Sequence, residues 1–271
     1  MSPKKVAEFS KLETLIRLLH CSGPGTIGFM LSGPTFESRL VATREVTPWV
    51  RELEFERLDG KPSVHRPGQW VRAVLPPKDE DGRIDRAFSY SSVADGTPRF
   101  KLLVAKVKDG LGSQWMHQAR VGDQVPMRGP LGTFLRDPKN RATLFVASGI
   151  GFAPIRPMYQ EAIARDAKEP MWLLFGARTP DEIPFADELA QWATRPNFRI
   201  EVSLSRPPPE WKGKSGHVQQ HVKELWGELL RLEPDAHAFV CGWRRMVWPV
   251  SDLFRGELNV DPQHLRIEAF D

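Results

Sequence analysis

The chain has 271 residues, which at ~150 residues per domain predicts about two domains, each with a sizeable buried core. Its 38 Lys and Arg against 34 Asp and Glu leave a net charge of +4. This mild excess is spread along the chain and argues against a dedicated nucleic-acid binder, whose footprint is a basic stripe. Only Cys21 and Cys241 occur, so no disulfide scaffold, four-cysteine zinc site or cysteine-ligated iron–sulfur cluster can be built within one chain. The longest apolar run, residues 171–175, has five members against the ~20 needed to cross a bilayer. A soluble protein without a membrane span is expected.

Residues 1–37 form a compositional unit of their own, an N-terminal extension with a charged start and a Gly- and Pro-rich end. Leu12, Leu15, Ile16 and Leu19 share one helical face. The run is too short and too charged for a secretory signal, and Glu8 and Glu13 do not suit a mitochondrial presequence. The expectation is a cytoplasmic protein whose extension is either a short amphipathic helix or a loose tail.

From residue 38 to 137 the pattern turns to short β-rich runs at 40–43, 50–57, 69–75, 88–93, 100–106 and 124–128. Turn residues separate them at Asp59-Gly60, Pro67-Gly68, Asp81-Gly82, Asp95-Gly96, Asp109-Gly110 and Gly129-Pro130. No long helix fits between, so an antiparallel barrel or sandwich of about six strands is predicted. From 138 to 271 the rhythm becomes strand, loop, helix. Strands at 143–147, 171–175, 199–204, 237–240 and 265–267 alternate with helices at 155–165, 184–192, 217–230 and 246–255. That predicts an open, parallel, five-stranded α/β sheet.

In such a sheet ligands bind beyond the carboxyl ends of the strands. After the first strand comes Ser148-Gly149-Ile150-Gly151-Phe152-Ala153-Pro154. Gly149 and Gly151 allow close backbone approach to an anion such as a pyrophosphate at a helix N-terminus, and Pro154 suits a first helical position. Pro154 stands where the G-x-G-x-x-G fingerprint has its third glycine, so a tight turn without ligand fits the same residues. In the barrel, Arg86-Ala87-Phe88-Ser89-Tyr90-Ser91-Ser92 gathers a guanidinium, two aromatics and several hydroxyls, suited to a ligand with a phosphate and a flat ring. An ordinary strand with its polar residues in water has the same composition. Gly110-Leu111-Gly112-Ser113 offers a second cradle of backbone amides. His217 and His221 are four apart, but no third ligand accompanies them, so they are read as a surface helix and no metal site is expected.

Taken in order, Pro67-Gly68-Gln69-Trp70-Val71, Arg86-Ala87-Phe88-Ser89, Gly110-Leu111-Gly112-Ser113, Val121-Gly122-Asp123, Gly129-Pro130-Leu131-Gly132-Thr133-Phe134, the Gly149 to Pro154 loop and Cys241-Gly242 resemble the ferredoxin–NADP reductase superfamily over residues 38–271. The resemblance implies a flavin-binding Greek-key barrel followed by a nicotinamide-dinucleotide domain, the two ligands meeting in the cleft between. It places Arg86 on the flavin pyrophosphate, Phe88 against the ring or ribityl chain and Ser89 beside flavin N5, with Ala87 and Tyr90 in the same motif. The backbone of Val104, Ala105 and Lys106 borders the flavin, and Gly110, Gly112 and Ser113 hold its phosphates. The family commonly has tyrosine at the position of Phe88, so stacking is kept here while one hydrogen bond is lost. FAD is implied rather than FMN.

On the nucleotide side the resemblance assigns Gly149, Gly151 and Pro154 to the pyrophosphate, and Cys241 with Gly242 to the nicotinamide. Without the family, Cys241 reads as a buried strand-end thiol. Arg178, Ser205 and Arg206 end the second and third strands, where an adenosine 2′-phosphate projects, so NADP(H) is preferred over NAD(H), although Ser-Arg-Pro also occurs in NADH-using relatives. Glu268-Ala269-Phe270-Asp271 resembles a terminus that covers the flavin, with Phe270 as a displaceable lid and Glu268 serving the ring; Asp271 is one residue beyond the usual plant-type end. The implied activity is hydride transfer between NAD(P)H and flavin N5, with Ser89, Cys241 and Glu268 as catalytic residues, and electron delivery to an external carrier, a ferredoxin or flavodoxin first. An NADH-dependent reductase component of an oxygenase, a flavin subunit of a larger complex and a flavin-free interaction module are the rivals.

Overall fold

Alternation of apolar and polar residues builds the first half of the protein as antiparallel strands with one face inward. In a computed structural model that describes residues 33–75, 84–137, 139 and 141–270, β1 (Thr35–Thr47), β2 (Val50–Arg57), β3 (Trp70–Leu75), β4 (Ile84–Ser89), β5 (Arg99–Ala105) and β6 (Gln124–Leu131) form one sheet in the order β4-β3-β6-β1-β2-β5. An antiparallel bridge between Tyr90 and Leu102 brings the two ends of this sheet together into a barrel. Its core is Leu40, Leu53, Phe55, Val71, Phe100, Leu102 and Met127, each at most 1 % exposed. β1 is far longer than residues 40–43, because Phe36, Ser38 and Leu40 continue the inward alternation along β6.

One element of the barrel half departs from the expectation of strands alone. Residues Leu111–Gln118 form a helix, α1, between β5 and β6. Its last turn is held by Arg51, whose Nη1 donates to the carbonyls of Met116, His117 and Ala119 at 3.3, 2.8 and 3.2 Å. Those carbonyls have no partner inside the helix, so an arginine from β2 substitutes for the missing turn. At the turn before it, Asp109 rather than Gly110 takes the left-handed conformation, at φ 63°.

The second half is a parallel sheet, β10-β9-β8-β7-β11-β12, with β7 (Thr143–Ser148), β8 (Met171–Ala177), β9 (Phe198–Leu204), β10 (Lys214–Ser215), β11 (His237–Trp243) and β12 (Leu265–Phe270). Five strands match the expected sheet, and the two-residue β10 adds an edge. The helices are α2 (Arg156–Ala164), α3 (Ala186–Trp192), α4 (Val222–Leu232) and α5 (Arg244–Asp252). β7 is buried along its first five residues, the pattern of a strand covered on both faces. One core lies on each side of the sheet, and the core containing Phe145, Phe152, Tyr159 and Phe175 also takes in Val50, Leu103, Ala105 and Phe134 of the barrel half. The described residues from Pro34 onward therefore form one unit with a continuous seam. The amphipathic stretch with Leu12 to Leu19, Cys21, the Asp81-Gly82 turn and Asp271 lie outside the described residues. No helix among the described residues is long and apolar enough to cross a membrane.

Candidate functional site

The sheet order places β7 and β11 side by side, so the loop after β7 and the end of β11 face the same edge. After Ser148 the chain turns through a 3₁₀ segment, Gly149–Phe152, with Gly149 at φ +54°. Gly151 is required by space. A Cβ there would stand 2.1 Å from the Cys241 carbonyl oxygen and 2.7 Å from Gly242 Cα, all main chain. α2 begins at Arg156, and Pro157, not Pro154, occupies its first turn; Pro154 is buried in the turn before it. The hydroxyl of Ser148 is buried with no hydrogen-bond partner, although Gly242 is packed so closely that a Cβ there would approach it to 2.6 Å. An unpartnered buried hydroxyl beside a glycine-lined turn fits a phosphate-bearing ligand.

This loop opens into a cleft of about 800 Å³ whose walls come from both halves of the protein. Ser148, Gly149, Gly176, Arg178, Ser205 and Trp243 line one side, and Thr47, Trp49, Val50, Ala105 and Lys106 the other. Its size and its mixture of apolar walls with a few polar groups suit a dinucleotide. Arg178 is not a free cation. Its Nη2 lies 2.6 Å from Glu182 Oε1, and its backbone amide donates to Glu182 Oε2 at 3.1 Å. Arg206 is exposed and outside the cleft walls, its amide donating to the Arg178 carbonyl at 2.9 Å. His221 gives Nε2 to the Ser215 carbonyl at 2.9 Å, whereas His217 faces the cleft.

The barrel supplies the second constellation at the end of β4. The Arg86 stem packs on α1, where a Cβ at Gly112 would come within 2.5 Å of Arg86 Cγ. Its guanidinium donates to the Asp85 carbonyl at 2.9 Å and has no carboxylate partner among the described residues, leaving charge available for a phosphate. No side chain caps the first turn of α1. Ser113 is engaged locally, its hydroxyl donating to the Gly110 carbonyl at 2.9 Å and accepting from the Val107 amide at 3.2 Å. The Tyr90 side chain is turned into the barrel core, 1 % exposed and stacked on His65 at 3.9 Å, so it stands apart from the residues that face a ligand. Phe88 remains partly buried beside Ser89.

Residues 89, 241 and 268 converge. β12 pairs with β11 so that Cys241 lies opposite Glu268, and Trp243 opposite Phe270. Ser89 Oγ donates to Glu268 Oε1 at 3.3 Å across the seam. Burial pushes the Glu268 carboxyl up to about 7, against the smaller opposing effect of the Ser89 hydrogen bond. Cys241 is fully buried, and burial, with Glu268 beside it, raises its thiol well above the ordinary value. It is held as a neutral thiol, a packing surface rather than a nucleophile.

The position of Glu268 has a consequence for stability. The folded chain keeps a proton that the unfolded chain releases near 4.5, so this group favours folding fully below that value and loses the contribution as pH rises through about 7. Glu268→Gln is expected to remove a pH-dependent difference of roughly 3 kcal/mol. Urea unfolding of parent and variant at pH 4.5 and pH 8 checks this. Identical pH slopes for the two chains refute the assignment.

Glu182, Trp49, Trp243 and Arg245 belong to the cleft but were not marked by the sequence pattern. Glu182 had a legible signal, an acid four residues after Arg178 at a helix start. Trp49 and Arg245 had none, since their place depends on how a hairpin and a helix meet.

Two family models match the chain. The Oxidoreductase FAD-binding domain family matches residues 37–135, and the Oxidoreductase NAD-binding domain family matches residues 145–252. The fold and its cleft thus define an NAD(P)H-dependent flavin oxidoreductase that binds FAD and a nicotinamide dinucleotide. The Ferredoxin--NADP reductase B of Sorangium cellulosum is 44% identical over 246 residues, 89% of this chain and 100% of that protein. The chain belongs to the ferredoxin–NADP reductase family. The toluate 1,2-dioxygenase electron transfer component of Pseudomonas putida is 31% identical over 209 residues, 75% of this chain and 58% of that protein. Among solved structures, a ferredoxin NADP+ reductase from Neisseria gonorrhoeae with bound FAD and NADP superposes with a TM-score of 0.71 at 20% identity, covering 88% of this chain and 99% of that one. At that identity the likeness is one of fold.

Proposed function

We propose that this enzyme is a cytoplasmic, NADPH-preferring reductase that exchanges electrons with a ferredoxin or flavodoxin. Its flavin part is residues 38–137 and its nucleotide part residues 138–271. The observation that carries the reading is the meeting of Ser89, Glu268 and Cys241 from three strands, where the end of β4 meets the parallel sheet. FAD, when bound, supplies a centre that takes two electrons together and passes them on singly. Arg86, the first turn of α1 and the backbone of Val104 to Lys106 would hold its phosphates and edge. Gly149, Gly151 and Ser148 would hold the nucleotide pyrophosphate, Cys241 and Gly242 would pack on the nicotinamide, and Phe270 would cover the flavin until the nicotinamide displaces it. The protein's own work is to orient two rings, exclude water and keep a hydroxyl and a carboxyl that readily holds its proton at one edge. The mild basic excess and the absence of cluster ligands suit an external carrier of acidic character.

The nucleotide preference rests on Arg178, Ser205 and Arg206 and on the name of the Sorangium relative. Glu182 opposes it. A carboxylate in the cleft, on the 3₁₀ segment that follows β8, can hold a ribose diol, which favours the second reading, an NADH-dependent reductase component of an oxygenase. Comparing kcat/KM for NADPH and NADH separates them. The parent enzyme is expected to favour NADPH, Arg178→Ala and Arg206→Ala each to lower the NADPH value about tenfold, and Glu182→Gln to raise the NADPH:NADH ratio several-fold by releasing Arg178. A parent preference for NADH, with both arginine variants unchanged toward NADPH, establishes the second reading.

A further inference from the structure

Arg156 is the first residue of α2, five residues beyond Gly151, and its side chain is 6% exposed. Toward the nucleotide half, Nε and Nη2 donate to the two oxygens of Glu188 on α3 at 2.8 and 2.6 Å. Toward the barrel half, Nη1 donates to Glu52 Oε1 on β2 and to the Ser91 carbonyl, both at 2.9 Å. The Phe185 ring lies 4.0 Å from its guanidinium carbon. The other oxygen of Glu52 takes Arg44 at 3.0 Å. Ser91 is two residues past Ser89, and Arg156 is two residues past the loop of Gly149 to Pro154. One guanidinium therefore ties the strand end that carries Ser89 to the helix that leaves the phosphate loop.

A buried ion pair of this kind contributes little net stability, because desolvating the charges offsets most of their attraction, while its directed bonds fix geometry. An apolar side chain could fill the same volume against Phe185 without fixing the distance between the two halves. Hydride transfer depends steeply on that distance, and a displacement of about 1 Å can lower a rate about 10²-fold. We infer that Arg156 is a positioning residue, which sets the separation of the flavin-side strand from the nucleotide-side loop without touching either ligand. This rests on the reading of the cleft given above.

The test uses FAD-loaded enzyme in three forms: parent, Arg156→Lys, and Arg156→Met combined with Glu52→Gln, which removes the buried Glu52 carboxylate together with the guanidinium and leaves Glu188, 29% exposed, to water. Measured are FAD affinity, NADPH affinity, the long-wavelength charge-transfer absorbance on mixing, and the rate of flavin reduction at saturating NADPH. The expected result is that both affinities stay within about threefold, while the charge-transfer absorbance shrinks and the reduction rate falls at least tenfold in the double variant, with the lysine form between. Unchanged absorbance and rate in the double variant overturn the inference. So does a rate that falls only in step with FAD affinity, and so does failure of both variants to fold, since the role would then be retention or stability. A parent enzyme that neither nucleotide reduces overturns the underlying reading instead, so the two failures are distinguishable.

Discussion

Gly151→Ala will abolish measurable dinucleotide binding and lower the melting temperature, although it adds a single methyl group. The methyl has nowhere to go, because the atoms it meets are the carbonyl of Cys241 at 2.1 Å and Gly242 Cα at 2.7 Å, main-chain groups fixed in the middle of the parallel sheet by pairing with β7 and β12. Relief requires the loop after β7 to lift from β11, which moves Gly149 and Ser148 out of the arrangement that faces the cleft. Overpacking of this kind costs about 1–3 kcal/mol, a fall of roughly 3–10 °C for a domain of this size. Nucleotide affinity is expected to fall more than a hundredfold. Gly227→Ala is the matched control. Gly227 lies inside α4, and a Cβ there meets nothing within 4 Å, so the same chemical change is expected to stabilise the chain by about 0.5–1 kcal/mol. Thermal melting and equilibrium titration with NADPH read both variants. Equal melting temperatures for Gly151→Ala and the parent, with equal affinities, would falsify the steric account.

The second large effect is expected at the seam. Ser89→Ala should slow flavin reduction at saturating nucleotide by about 10²-fold while FAD content and NADPH affinity change less than threefold. The hydroxyl of Ser89 is the one described hydrogen-bond partner of the Glu268 side chain, and that carboxyl is already pushed toward its neutral form by burial. Without Ser89 the carboxyl has no described donor and is freer to turn, so the pair no longer presents a fixed polar edge. Because the two groups act as a unit, Ser89→Ala combined with Glu268→Gln is expected to be scarcely slower than Ser89→Ala alone. Stopped-flow reduction of the loaded enzyme measures the cycle. If the two losses multiply, the residues act separately, and the proposed coupling of Ser89 to Glu268 is wrong.

Both predictions depend on contacts with very different degrees of legibility. Gly151 was marked by the sequence as a place for close backbone approach, and the structure makes the neighbour specific: the intruding atoms belong to Cys241 and Gly242, about ninety residues later. Pro154 suits the first position of a helix, but the chain inserts another turn, so that the helix begins at Arg156 with Pro157 second, because the 3₁₀ segment after β7 uses residues that a direct strand-to-helix turn would not. Tyr90 shared its motif with Arg86 and Ser89, yet its ring points into the barrel core beside His65. Neighbouring side chains of a strand alternate between faces, so a contiguous motif cannot all address one ligand.

The amino-acid order alone determined the two halves of the fold and the glycine loop at the end of β7, and the candidacy of Ser89, Cys241 and Glu268 came from the short motifs that resemble the family. Each of these depends on local periodicity, turn chemistry or a short motif, all of which are written in contiguous residues. Tertiary structure alone decided that Trp49 and Arg245 face the cleft, that Glu268 is buried enough to favour its proton, and that Arg156 joins Glu52, Ser91 and Glu188. Burial and charge pairing are properties of a place in space, and residues separated by a hundred positions acquire such a place only when the barrel and the parallel sheet close on one another.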